Sequence, residues 1–385
     1  MAAEVLVCAP SMTVEALEPL LGRLVDRLPG VKLIAAVPED THDSLSNTSY
    51  ALVRYKTPNT TTTAWTLNAA DYLQAHELAQ ECKADVVLLL GEEAQSLETS
   101  GLQKMIASAV QEHCDLVVPR YALPARAGLV NSAILYPVSR ALFGSAIRFP
   151  LAADLCFSAR MGALLGTAAQ RLTGSNYGDG LVWAASAASV AGYSIAEVDV
   201  GSRVLPQPNG QDLNSVLAHV TGSLFADVEA KAAFWQRARV ARMRAVSEPT
   251  EIGFETPTDE VRSMVDSFRM AHGNLAEIWS LVLPPQSLLG LKRLSVVAPE
   301  SFVMADNLWA RIVYDFVLAY RLRTMNRGHL LGALTPLYLA WVASHLVQTT
   351  KTHAFERHIE SVAAAFEAEK PYLVSRWRWP DRFNP

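Results

Sequence analysis

Residues 131–158 read NSAILYPVSRALFGSAIRFPLAADLCFS, from Asn131 to Ser158, and this stretch decides the fold. Its first half sets Tyr136 and Arg140 at helical spacing and stops at Gly144, a residue suited to a left-handed helix cap. Its second half, from Arg148 through Pro150 to Ser158, reads as an extended apolar segment. One acid, Asp154, falls there in a short loop. A lone aspartate among apolar neighbours is either hydrogen-bonded or functional, because an unpaired buried charge is costly.

Outward from this stretch, residues 4–9, 31–37, 45–56, 85–90, 115–119 and 195–200 read as strands, with helical spacing between several of them. Strands alternating with helices predict a mostly parallel α/β sheet. The run DVVLLL at 85–90 is apolar throughout, which places it mid-sheet with both faces covered. After about residue 225 the pattern turns helical. The expected organisation is therefore an α/β domain over 1–225 and an all-α domain over 226–385, and 385 residues suit two cores.

Half of the residues are hydrophobic and 18% are charged, enough apolar surface for large cores. A net charge of -5 with no long basic run argues against nucleic acid as the main partner. Cys8, Cys82, Cys114 and Cys156 lack zinc or C-x-x-C spacing, so they read as small hydrophobes in a reducing, cytoplasmic setting. The start of the chain has no basic residue before its apolar run and does not read as a secretory signal. Residues 329–347, HLLGALTPLYLAWVASHLV, are barely long enough to span a bilayer and carry two histidines and a proline. A buried helix is the expectation, with no transmembrane span. An apolar helical domain also allows a homodimer.

The order of residues within 131–158 is more specific than its periodicity. It resembles the acceptor-side region of retaining GT-A glycosyltransferases of the mannosylglycerate synthase and glucosyl-3-phosphoglycerate synthase type. There a run N-S-x-x-Y-P-x-x-R-A-L-x-G leads into R-Q-P-I-G-G-D-F-x-x-S. Tyr314-Asp315-Phe316-Val317, Leu334-Thr335-Pro336-Leu337-Tyr338-Leu339 and Lys370-Pro371-Tyr372-Leu373 resemble that family's C-terminal helices. The resemblance implies a GT-A fold with a mixed, mostly parallel sheet. It also implies transfer from a nucleoside-diphosphate sugar to a small polar acceptor such as glycerate or phosphoglycerate.

Through the same resemblance, Asp154 and Asp179 take catalytic positions, and Arg148, Asn131, Tyr136 and Arg140 take acceptor positions. Pro10, Ser11, Asp40, Glu92, Glu93 and Arg203 fall on the donor side. Departures concentrate in that donor pocket. Gly91 replaces the first acid of the metal-binding D-x-D, leaving Glu93 at the second position. Leu205 replaces a metal-ligating histidine, and Thr63 to Asn68 replace a lysine- and arginine-bearing segment. A divalent cation, Mg or Mn, would rest on Glu93; the other reading of Glu93 is a solvated residue opening a loop. Arg203 could replace part of the missing positive charge, or be an ordinary strand-end arginine. Two functions stay open: a working transferase, and an inactive pseudo-glycosyltransferase kept as a binding or assembly module.

Overall fold

The computed structural model describes residues 3–39, 49–56, 65–174, 180–208, 210–237, 258–352 and 355–380. In chain order come β1 (Ala3–Cys8), α1 (Val14–Arg27), β2 (Val31–Pro38), β3 (Ala51–Tyr55), α2 (Ala69–Cys82) and β4 (Val86–Leu90). They are followed by α3 (Thr99–Val110), β5 (Leu116–Ala122), α4 (Tyr136–Phe143), β6 (Asp154–Ser158), α5 (Ala159–Thr173), α6 (Ala184–Ala191) and β7 (Ile195–Ser202). The remaining elements are helices. These are α7 (Leu213–Ala230), α8 (Ala232–Trp235), α9 (Thr258–Asn274), α10 (Ala276–Ser280), α11 (Pro285–Ser295), α12 (Asp306–Leu322), α13 (Arg327–Thr352) and α14 (Phe355–Arg378).

The seven strands among the described residues form one sheet in the order β3-β2-β1-β4-β6-β5-β7. β1, β2, β3 and β4 pair in parallel, as do β5 and β7; only β6 runs against its neighbours β4 and β5. This is the mixed, mostly parallel α/β architecture expected of a GT-A domain. All five residues of β4 are buried, as a mid-sheet strand requires. Asn68 starts α2 with a reciprocal cap: its side chain accepts from the backbone of Ala70 and Asp71, and Asp71 accepts from the backbone of Asn68.

Residue 154 is not in a loop. Asp154 is the first residue of β6 and lies opposite Leu90, the last of β4. The strand sits between β4 and β5, so its short apolar sequence is paired on both edges, a non-local arrangement that periodicity does not reveal.

By contact, the chain forms two compact units, one of residues 1–123 with 147–210 and one of residues 124–146 with 211–385. A boundary at residue 225 falls inside α7, a continuous helix whose first turn is capped by the Asp212 carboxylate on the Ser215 N–H, 2.7 Å. The compact units part before it. In the second unit α4 packs on α14, and α12 lies against α14 and α13. The π-turn Asn131–Leu135 leads into α4, and the indole N–H of Trp309 in α12 donates to the Ala133 carbonyl there, 2.8 Å. Gly144 caps α4 in the left-handed conformation that its sequence position predicts.

Among the described residues one helix, spanning Arg327–Thr350, is long and apolar enough to cross a membrane, and 78% of its most apolar window is buried inside the protein. Burial in a helical core accounts for that composition. The four cysteines are free; Cys8 and Cys156 are fully buried and Cys82 and Cys114 partly so.

Candidate functional site

The C-terminal end of β4 meets the start of β6 and the end of β7 in the first unit, and four sequence-predicted residues come together there, Asp154 and Arg203 by their side chains and Glu92 and Glu93 by their carbonyls. Asp154 and the side chain of Arg203 are completely buried and form an ion pair, with Nε to Oδ2 at 2.9 Å and Nη2 to Oδ1 at 3.2 Å. This is the bidentate fork that a planar guanidinium makes with a carboxylate. Oδ1 also accepts from the backbone N–H of Gly91 at 3.1 Å, and Oδ2 accepts from the Tyr121 hydroxyl at 2.8 Å. The Tyr121 oxygen in turn accepts from the Asp154 backbone N–H at 3.1 Å. Each carboxylate oxygen therefore takes two donors, which fills its capacity.

Arg203 is equally committed. Beyond Asp154, Nη1 donates to the Val204 carbonyl at 2.7 Å and the Ser96 hydroxyl at 3.3 Å, and Nη2 donates to the Glu92 carbonyl at 2.6 Å. With the two bonds to Asp154, these use all of the about five N–H groups a guanidinium has. Ser96 extends the network by donating to the Glu93 carbonyl at 2.6 Å and accepting from the Val204 N–H at 3.1 Å. The guanidinium thus fastens the loop after β4 to the end of β7.

Gly91 is a glycine for a local reason. A Cβ on it would lie 2.6 Å from the Ala153 carbonyl oxygen, inside van der Waals contact with fixed backbone. The approach of β6 to β4 leaves no room for any side chain at this position, a carboxylate included. Glu93 follows in a left-handed conformation (φ 62°) and its carboxylate accepts from Gln95 Nε2 at 2.8 Å. Glu92 and Glu93 are both half-buried, and Leu205 is half-buried past the strand end.

Tyr121 was absent from the sequence-derived set. It sits where β5 and β7 shift register, between Arg120 and Tyr121. Such an irregularity re-aims side chains. Burial and the adjacent Asp154 charge push the Tyr121 phenol well above its ordinary range, so it stays a donor. Only its tyrosine chemistry, not the register shift, was readable in the sequence.

The other expected residues fall into separate settings. Pro10 and Ser11 form the half-exposed turn after β1. Arg148 is buried in the first unit; its backbone N–H donates to Glu197 of β7 at 2.5 Å and its guanidinium lies 5.1 Å from the Phe149 ring centroid. Burial raises the Glu197 carboxyl above its ordinary range, against the pull of the Arg148 N–H and the Arg120 charge. Asn131, Tyr136 and Arg140 belong to the helical unit. There Arg140 bonds Glu367 at 3.0 Å, Glu360 at 2.5 Å and the Tyr136 hydroxyl at 3.0 Å, while Tyr136 donates to Glu360 at 2.7 Å. Both side chains tie α4 to α14. Asp40 and Asp179 lie outside the described residues.

The residues at the expected cation position do not fit a divalent ion. Gly91 and Leu205 offer no ligand, Asp154 is saturated by nitrogen and hydroxyl donors, and the Glu93 carboxylate turns to Gln95. Among the described residues no group of three or more His, Cys, Asp or Glu side chains could hold a metal.

No family model and no curated protein matches the chain. Among solved structures it is similar to glucosyl-3-phosphoglycerate synthase from Mycobacterium tuberculosis in complex with Mn2+, UDP-glucose and phosphoglyceric acid. That match has 15% identity and a TM-score of 0.36, covering 59% of this chain and 79% of the other. The same synthase with Mg2+ and UDP gives 14% identity and a TM-score of 0.37, with 59% and 79% covered. A mycobacterial protein gives 12% identity and a TM-score of 0.37, with 59% and 74% covered.

Proposed function

We propose that the chain is a glycosyltransferase-like protein of the class that joins a nucleoside-diphosphate sugar to a small polar acceptor, and that metal-dependent transfer has been lost from it. It then persists as a binding or assembly module. The observation that carries this reading is the closed Asp154–Arg203–Tyr121 network at the ends of β4, β6 and β7. Transfer from a diphospho-sugar needs fixed positive charge facing the leaving diphosphate. Here the buried cation spends every donor on protein oxygens, and Asp154, the catalytic acid that the sequence resemblance implies, is paired with that cation. Free, unpaired cysteines support a reducing, cytoplasmic location.

A transfer assay tests the reading. UDP-glucose and GDP-mannose, each with glycerate and with phosphoglycerate, are incubated with the protein with and without Mn2+, and glycosylated product is measured. The expected outcome is no product above the protein-free control in any combination. Turnover that requires Mn2+ would overturn the proposal. Turnover without metal would instead establish a cation-independent transferase, in which the half-buried Glu92 and Glu93 are the first residues to examine.

A further inference from the structure

In the helical unit α11 carries apolar side chains on both of its faces. Ser287, Leu291 and Leu294 are buried, and on the same face Gly290 lets the backbone approach α12, where a Cβ would lie 2.9 Å from the Leu308 side chain. Pro285, Leu288, Leu289 and Lys292 recur at i, i+3, i+4 and i+7 and share the opposite face. A helix lying on a core presents polar side chains on that side. Here the face borders an open cavity of about 380 Å3, which His272, Ala276 and Trp279 line from the end of α9 and from α10.

The deep wall of the cavity is fixed by its own packing. Trp279 is 1% exposed, its indole N–H donates to the Ala333 carbonyl of α13 at 3.0 Å, and its ring stacks on Phe268 at 6.3 Å and 19°. Leu291 lines the same wall and is fully buried. The mouth is different: Leu289 is 48% exposed and Lys292 is exposed. His272 rests against the Phe268 and Trp279 rings, each 6.2 Å away. Among the described residues neither the His272 ring nitrogens nor the Lys292 ammonium has a hydrogen-bond or ion-pair partner. No acid lines the cavity, since Glu277 of α10 stays outside it. A hydrocarbon wall with one cation and one ring N–H at its edge suits an apolar stem that ends in an anion. The stem gains by leaving water, and the anion takes up the two open donors. The volume falls within the range of about 300–1,000 Å3 of small-molecule pockets.

We propose that this cavity binds a small carboxylate with an apolar stem, the stem against Trp279, Leu288 and Leu291 and the carboxylate on Lys292 and His272. Lys292 supplies the charge, and His272 supplies an N–H that a neutral imidazole also has. None of these residues belongs to the unit that carries Asp154 and Arg203, so the site stands independently of the transferase reading.

The test is calorimetric titration of the full chain with octanoate, octanol and octyltrimethylammonium, three ligands that share a stem and differ in charge. Octanoate is expected to bind at one site, about tenfold tighter than octanol, and the cation more weakly than either. Lys292→Glu, an exposed position, should weaken octanoate about tenfold and leave octanol unchanged. Ala276→Phe, also exposed, fills the cavity and should remove binding of both. If that variant does not fold, the Lys292 comparison decides alone. No octanoate binding, a cation that binds as tightly as the anion, or equal octanoate affinity in wild type and Lys292→Glu would overturn the site. Sedimentation of the chain with phosphatidylglycerol vesicles, without uptake of octanoate, would also overturn it and make this face a membrane contact.

Discussion

Gly91, Asp154 and Arg203 form one problem in packing and charge. Removing the guanidinium leaves a carboxylate buried without a partner, so Arg203→Met is expected to destabilise by about 3–5 kcal/mol. The double change Asp154→Leu with Arg203→Met removes both charges and is expected to recover most of that loss, because isosteric apolar pairs often replace buried ion pairs without penalty. Urea unfolding of the two variants checks both statements; a double variant as unstable as the single one would contradict them. Gly91→Asp, which rebuilds the missing acid on paper, must push the Ala153 carbonyl aside. It should cost about 1–3 kcal/mol, as overpacking does, and bring no Mn2+ affinity. The substitutions at 91 and 205 were plain in the sequence. The cause at 91 was not, since it lies in the close approach of the Ala153 backbone, about sixty residues downstream, which no local pattern records; nothing in the structure explains Leu205.

At the level of elements, α2 and α4 show two uses of buried charge. Burial raises the Asp71 carboxyl to about 6, only partly opposed by its bond from the Asn68 N–H. A carboxyl raised above its unfolded value binds its proton more tightly when folded. The stability it contributes is present when it is protonated and is lost as pH rises through about 6. Asp71→Asn keeps an acceptor for the cap and should erase this dependence, so wild type should gain stability over the variant as pH falls from 7.5 towards 5. Arg140 works differently, through partly exposed bonds to Glu360 and Glu367. Arg140→Met should cost about 1 kcal/mol and less at high salt. The strands and helices of the α/β unit were largely legible, because alternating apolar runs of about five residues and longer helical stretches differ in period. The antiparallel β6 was legible as an extended segment and not as a central strand. Its direction follows from the connection between residues 124 and 146, which the contacts assign to the helical unit.

At the scale of the molecule, the sheet order and the all-helical second unit support the architecture read from residues 131–158, and the interior of the site separates architecture from activity. The buried bidentate pair of Asp154 and Arg203 satisfies the polar groups at the strand ends, so the sheet closes there on protein contacts alone. The resemblance in sequence carried the scaffold far better than the chemistry. Tyr136 and Arg140, expected at an acceptor, make structural contacts with Glu360 and Glu367 of α14. Calorimetric titration of the full chain with UDP and with GDP, each with and without Mn2+, addresses the central claim directly. The closed network predicts no heat of binding under any of the four conditions. Micromolar binding that depends on Mn2+ and vanishes in Glu93→Ala would contradict it.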